Sequence, residues 1–422
     1  MPNIASGSAF RDPRSEFNRS DRLADAGRVD VAVVGGGIVG CATALALAEA
    51  GRRVTLLEAE DRLAAHQSGH NSGVMHSGLY YRPGTLRARM CREGLAAMVR
   101  FCDEQGVPYR RSGKVVVATS PSELPALARL EERGRANGLE GLTRLEGAEL
   151  REHEPHVRGL AGLWVPETGV VDYAVVTRAI ARKAEGMGVS IRTGARVTAC
   201  VLAAGPVLET TAGPVAARLV VTCAGLQADR LARLCGVEPG AAIVPFRGEY
   251  YELTPERREL VRSAIYPVPN PALPFLGVHF TRRINDQVDA GPNAVLAWAR
   301  EGYRRSDVSF ADLAEAFGYG GFWKMVVRQW RVGVDELARS FSKRRFAEAL
   351  SHLVPEIRES DLVPAGSGVR AQALDSRGQL LDDFHIVEGA GSLHVINAPS
   401  PAATASLAIG REIARRVKER LG

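Results

Sequence analysis

Residues 31–58 open with Val31-Ala-Val-Val-Gly-Gly-Gly-Ile-Val-Gly40, continue through an alanine-rich run to Ala50, and end in Val54-Thr-Leu-Leu-Glu58. An apolar strand, a glycine turn, a helix, a second strand and an acid follow in the order of a β-α-β nucleotide-binding unit. Gly35 permits the tight turn, Gly37 lets a pyrophosphate approach the backbone, and Gly40 lets the helix lie close on its strand. Ile38 and Val39 open that helix, whose free N–H groups and positive dipole end face the phosphates. Glu58, about twenty residues on, is placed to accept from a ribose hydroxyl, and its charge disfavours a 2′-phosphate. Three spaced glycines alone are weak evidence. Here the flanks match on both sides, so the stretch reads as dinucleotide-binding.

The wider composition sets bounds. The chain has 422 residues, of which 45% are hydrophobic and 24% charged, as in ordinary globular proteins of two or three domains. The net charge is +6, with 48 acids interspersed among the bases. No long basic run or aromatic ladder suggests a nucleic-acid partner. The positive excess suits anionic substrates or a membrane face. The six cysteines (Cys41, Cys91, Cys102, Cys200, Cys223 and Cys235) form no Cys-x-x-Cys pair or Cys/His cluster. Buried thiols in a reducing cytosol are expected, and no metal site. No apolar run approaches the roughly twenty residues of a membrane helix. Residues 1–28 lack an apolar signal region and read as a flexible extension of a cytoplasmic protein. No amphipathic anchor is evident, although the basic surface allows peripheral contact at the inner face of a membrane.

Along the chain, the polar Gly, Ser, His and Asn-rich loop at 59–82 directly follows the nucleotide unit, where such loops are usually functional. Helices are expected over 85–105, 121–137, 175–186, 309–352 and from about 401 to 420. Arg218-Leu-Val-Val-Thr-Cys-Ala-Gly225 reads as a strand returning beside the nucleotide, and 243–296 as several strands. The expected fold is α/β. A Rossmann-like domain (29–95, 150–240, 360–422) is interleaved with a substrate domain of mixed β-sheet plus helices (96–149, 241–359).

Several blocks together point to a family. They are His66-Gln-Ser-Gly-His-Asn-Ser-Gly-Val-Met-His-Ser-Gly-Leu-Tyr-Tyr-Arg82, Pro245-Phe-Arg-Gly-Glu-Tyr-Tyr251 and Phe275-Leu-Gly-Val-His-Phe-Thr-Arg282. Gly291-Pro-Asn-Ala-Val-Leu-Ala297, Ser367-Gly-Val-Arg-Ala-Gln372 and Asn397-Ala-Pro-Ser-Pro-Ala-Ala-Thr404 complete them. With the glycine fingerprint, they make the chain resemble FAD-dependent oxidoreductases of the D-amino-acid oxidase and glycerol-3-phosphate dehydrogenase superfamily. Within it, the chain resembles the L-2-hydroxyglutarate oxidase/dehydrogenase family most closely, over about residues 30–415. The loop Ile284-Asn-Asp-Gln-Val-Asp289 and the N-terminal extension depart from the family pattern.

The resemblance implies a nucleotide domain of the glutathione-reductase type with FAD bound noncovalently. Gln67, Ser68, His70, Asn71 and Ser72 would flank its pyrophosphate, ribitol and ring, and Val197 its adenine. Ala224 and Gly225 would let the pyrophosphate pass, with Gly368 and Ser400 as further contacts. A helix starting near Pro401 would aim its N-terminus at the ring, where reduced flavin carries negative charge.

Oxidising a small-molecule 2-hydroxy acid removes a hydroxyl proton and a C2 hydride. A neutral imidazole is the usual proton acceptor near pH 7. The candidates are His76, in the loop the family sets near the flavin, and His279, alternating with Val278 and Phe280 on a strand. Arginine forks bind carboxylates bidentately, so Arg247, Arg282 and Arg370 are candidate anchors, with Lys324 as a further cation. Tyr80, Tyr81, Tyr250 and Asn293 could donate hydrogen bonds. The bland reading of each is packing at a domain interface. Cys91 and Cys102 read as packing residues. The electron acceptor would be oxygen or a quinone. An amine or amino-acid oxidase on the same scaffold is the alternative, and a flavoprotein without catalysis a third.

Overall fold

The computed structural model describes residues 27–202, 205–269 and 276–422. Of the expected extension, residues 1–26 lie outside the described residues, as does Phe275 of the block Phe275–Arg282. The fold is α/β, with two large sheets and one small one.

The first sheet has a parallel core in the order Ser392–Asn397, Val215–Thr222, Val29–Val34, Val54–Leu57, Ser190–Arg192. Its central strands are continuous apolar runs because helices cover them: Val31, Ala32 and Val33 are fully buried. A meander through Val197–Val201 and Val207–Thr210 leads into Val215–Thr222. The helix Ile38–Glu49 lies against the closing helix Ala402–Leu421 and against Tyr173–Gly186. Contact with the closing helix is close enough that a Cβ on Gly410 would stand 2.5 Å from the Ala42 carbonyl oxygen. The Asp172 side chain caps Tyr173–Gly186 by accepting from the N–H groups of Ala174 and Val175.

The second sheet runs Val295–Leu296, Ala242–Leu253, Val288–Gly291, His279–Arg282, Ala264–Pro267, Val115–Ala118, Ala161–Trp164, Thr143–Glu146, with Leu362–Leu374 also paired to Ala242–Leu253. Strand alternation gives it two different faces. Val115, Val117, Ile265, Phe280, Val288 and Ala290 bury against Phe346 and Leu350 of the helix Lys343–Ser351. Val116, Ala118 and Tyr266 face the other way, towards Leu79 and Tyr80 of the polar loop. A small sheet of Val74–Met75, Gly169–Val171 and Tyr109–Arg110 supports that loop.

Sheet membership crosses two of the expected domain bounds. Ala161–Trp164 lies in the second sheet because its partners are Val115–Ala118 and Thr143–Glu146. Leu362–Leu374 pairs with Ala242–Leu253 from end to end, so it too belongs there. Buried Arg300 ties the units together. Its guanidinium donates to both carboxylate oxygens of Asp229 and, at 2.8 Å, to the Leu226 carbonyl.

The helical region comprises Phe310–Gly318, Gly320–Ser340 and Lys343–Ser351. Against the expectation of no amphipathic anchor, Gly320–Ser340 is amphipathic, with its apolar stripe turned outward: Trp323, Val327, Trp330, Val334 and Leu337 are exposed. No helix among the described residues is long and apolar enough to cross a membrane.

Candidate active site and cofactor cradle

The glycine turn leaves no room for side chains. Gly35 has φ 115°, in the region that favours glycine, and a Cβ there would meet the Cys223 carbonyl oxygen at 2.4 Å. A Cβ on Gly40 would stand 1.9 Å from the Gly35 oxygen. Gly37 is the N-cap of Ile38–Glu49, and the Ile38 N–H donates to Ser68 Oγ at 2.8 Å. The polar loop therefore reaches the helix N-terminus. A Cβ on Gly225, which follows Ala224, would stand 2.7 Å from Gln67 Nε2, and one on Gly368 would stand 2.6 Å from the His70 oxygen. Gln67 Oε1 accepts from the Ala371 N–H at 3.0 Å. The glycine turn, the loop and the second sheet thus line one cleft.

Other expected contacts play supporting parts. Asn71 Nδ2 donates to the carbonyls of Gln67 and Ser68 while its Oδ1 accepts from the Gly73 N–H, so it holds the loop turn. His70 stacks on Tyr303, ring centroids 4.2 Å apart. Ser72 makes no side-chain hydrogen bond among the described residues. Val39 accepts at its carbonyl from Thr43 Oγ1. Val197 packs beside Val34 and Leu57, at the strand ends that carry the turn and Glu58. Buried Glu58 accepts from the Gly36 N–H at 2.5 Å and the Glu60 N–H at 2.8 Å, and each oxygen keeps a lone pair for a ribose hydroxyl. Sequence spacing gave no hint of Glu60, His66 and Glu301, whose ligand atoms lie within 4.8 Å of one another. Those acids already engage Arg196 and Gln227.

This set fits FAD. The turn is one that a Cβ would fill, and neither Ile38–Glu49 nor Ala402–Leu421 carries an acid in its first turn. Two positive helix ends are thus left without side-chain anions of their own. Gly35, Gly37, Ile38, Ser68 and Gly225 would hold the pyrophosphate and Glu58 the ribose. The closing helix would face the negative charge of the ring.

Where that closing helix begins, the titratable groups gather. The His76 N–H donates to Thr404 Oγ1 at 3.0 Å, and its Nε2 lies 3.4 Å from Ser400 Oγ. Burial, then Lys114, His279 and Arg87, hold the His76 imidazole down at about 3. His279 is 8% exposed, lies over the Tyr266 ring at 3.9 Å, and has Nδ1 2.9 Å from the Gly277 carbonyl. Nδ1 therefore carries the proton and Nε2 is left as an acceptor. Burial, countered in part by that hydrogen bond and deepened by Arg370 and Lys114, puts His279 at about 3. Both imidazoles are neutral at pH 7.

Lys114 joins them. It is 1% exposed, with Nζ 4.4 Å from the Tyr80 ring centroid and 5.0 Å from that of Tyr266. Burial pushes its ammonium down to about 7. Among the described residues no carboxylate pairs with it. Tyr80 Oη and His76 Nδ1 are buried without hydrogen-bond partners among the described residues. Tyr250, its phenol raised by burial, is hydrogen-bonded to Arg370. A buried ammonium, an orphaned phenol and two neutral imidazoles make a pocket that wants an anion carrying a hydroxyl.

The structure thus brings together His76, His279, Tyr80, Tyr250, Arg370 and Ser400. Four other expected site residues go elsewhere. Arg282 lies on the opposite strand face from His279 and pairs with Asp286 at 3.0 Å and with the carbonyls of Arg258 and Val261. Arg247 donates to Glu249 and the Arg304 carbonyl, and Asn293 both accepts from and donates to Glu249. Both brace a sheet corner around that acid. Lys324 Nζ donates to the Ser376 carbonyl on the outer helix. Lys114 and Tyr266 were missed. The one signal was a lysine heading the apolar run Val115–Ala118. An open cavity of about 450 Å³ lies beside Val278 and Val332 and holds none of this cluster.

Comparison with known proteins agrees. The DAO family of FAD-dependent oxidoreductases matches residues 30–416. L-2-hydroxyglutarate dehydrogenase of Indibacter alkaliphilus is 48% identical over 90% of this chain and 96% of that one. Its namesake from Escherichia coli K12 is 44% identical over 92% and 93%. Among solved structures, FAD-bound L-α-glycerophosphate oxidase of Mycoplasma pneumoniae superposes with a TM-score of 0.76 at 24% identity, over 93% of this chain and 95% of that one. Glycine oxidase of Geobacillus kaustophilus superposes at 0.70 and 20% identity, over 93% and 95%. With the dinucleotide cradle and the cluster beside it, these matches make the chain a member of the DAO family of FAD-dependent oxidoreductases.

Proposed function

We propose that this enzyme oxidises L-2-hydroxyglutarate, or a closely similar 2-hydroxy acid, to the 2-oxo acid. The observation that carries the reading beyond the relatives' names is Lys114, a buried cation facing His279 and His76 with no carboxylate partner among the described residues. An anionic substrate would supply the missing charge. Lys114 and Arg370 would each hold a carboxylate, Tyr80 Oη would donate to one of them, and His279 Nε2 would accept the C2 hydroxyl proton. Bound FAD supplies the two-electron acceptor for the C2 hydride. Loss of that proton and hydride turns the secondary alcohol into the ketone. An imidazole kept neutral by burial is ready to accept, and its imidazolium would be stabilised by the substrate's own carboxylates.

We further read the FAD as noncovalent, the first sheet as its domain and the second as the substrate's. The electrons would go on to oxygen or to a quinone, the latter with peripheral membrane contact. Under nitrogen, L-2-hydroxyglutarate is expected to bleach the oxidised flavin spectrum, and admitting air or adding a soluble quinone then tells the acceptors apart. Bleaching by an amino acid, with none by L-2-hydroxyglutarate, would move the enzyme to the amine-oxidising branch. Yellow colour remaining in an acid-precipitated pellet would show covalent flavin instead.

A further inference from the structure

We propose that the outward face of the helix Gly320–Ser340 is a docking surface for an anionic lipid bilayer. Its apolar residues Trp323, Val327, Trp330, Val334, Leu337 and then Phe341 are spaced four, three, four, three and four apart. At 3.6 residues per turn they fall on one stripe. All six are exposed, Val327 by 75% and Phe341 by 74%. The stripe does not end with this helix. The preceding one, Phe310–Gly318, shows Phe310 and Phe317 one face-repeat apart, Phe310 at 84% exposure. Phe317 meets Trp323, ring centroids 5.9 Å apart. The opposite side of Gly320–Ser340 is seated by Phe322 and Met325, so the helix is fixed to the fold and its stripe is left without cover.

Charge selects the occupant. Residues 320–345 carry seven Lys or Arg against two acids. Arg331 is exposed and stacks over the Trp330 ring at 5.4 Å, the posture of a cation flanking an interfacial tryptophan. Three of the four tryptophans of the chain are exposed: Trp323 and Trp330 on the stripe, and Trp298, whose carbonyl accepts from the Ser309 N–H at the start of the preceding helix. A basic-flanked, tryptophan-bearing stripe spread over two helices suits the headgroup boundary of an anionic leaflet. A coiled-coil seam shares the spacing, but bulky tryptophans fit its small holes poorly. The surface rests on the peripheral membrane contact proposed above and includes none of the catalytic cluster, so its test is independent of the substrate reading.

The FAD-loaded enzyme is sedimented with phosphatidylcholine vesicles, with and without phosphatidylglycerol. It is expected to pellet with the anionic vesicles, less so at high salt. Val327→Glu, at an exposed position, and Arg331→Glu are each expected to weaken that binding by about tenfold or more while activity with a soluble dye acceptor is unchanged. Failure to bind anionic vesicles, or binding that neither variant weakens, overturns the proposal. So does a dimer in light scattering that Val327→Glu splits into monomers, since the stripe is then a protein–protein seam.

Discussion

Replacing His279 with Gln is expected to lower kcat/KM for L-2-hydroxyglutarate by about 10²- to 10⁴-fold while the flavin stays bound, the usual range for a positioned general base. The imidazole is anchored at one nitrogen only. Nδ1 donates to the Gly277 carbonyl at 2.9 Å, which leaves the Nε2 lone pair turned to the pocket. Gln keeps the hydrogen-bonding capacity and roughly the volume but cannot accept the proton. A fall in kcat matching the fall in kcat/KM would show that the lost interaction belongs to the transition state. His76→Gln is the comparison. Its backbone N–H is tied to Thr404, and its Nε2 contact to Ser400 is long at 3.4 Å, so a smaller loss is expected there. Stopped-flow bleaching of each variant measures the step directly. If His76→Gln is the slower by an order of magnitude, the two histidines exchange roles.

The parts legible in the sequence are those in which local chemistry and final environment coincide. Val31, Val33 and Leu56 are apolar because the strands are buried on both faces, and Gly35 and Gly40 are glycine because nothing larger fits. Such requirements act within a few residues and are written in order along the chain. The pocket is different. His76, Lys114, His279 and Arg370 come from a loop, the residue before a strand and two further strands, and no spacing rule joins them. What alternation could decide, it decides against Arg282: residues 279 and 282 of one strand point to opposite faces, and Arg282 shares its side with buried Phe280. Family-block membership outweighed that parity in the reading of the sequence. Arg247 and Asn293 turn away from the pocket for another reason. The partner that claims both, Glu249, is an ordinary acid until Arg305 and Ser340 are folded around it. The outer stripe was readable as a four-three repeat, but glycines at 320, 321 and 333 and the interleaved bases obscured it.

Lys114 is where the substrate reading is most exposed to test. Lys114→Met is expected to raise KM for L-2-hydroxyglutarate by about 10- to 100-fold, the worth of one charge-assisted hydrogen bond in a buried site. The change removes a charge and leaves no cavity, since methionine fills the space between the rings of Tyr80 and Tyr266. Flavin content and thermal stability should hold, because the native ammonium is itself unpaired and costly to bury. The pH profile separates this role from packing. Burial sets the ammonium at about 7 in the free enzyme. Below that pH it is charged and binds the anion; above it the charge is lost, so kcat/KM falls on the alkaline side. An anion in the pocket favours the charged form, so the same limb in kcat lies at higher pH. In Lys114→Met the limb near pH 7 disappears together with the affinity. In Lys114→Arg, which stays protonated, the limb also disappears, but affinity is retained wherever the longer fork can be seated. A Met variant that keeps both its KM and its alkaline limb would leave Arg370 as the pocket's anchoring cation and Lys114 as a packing residue.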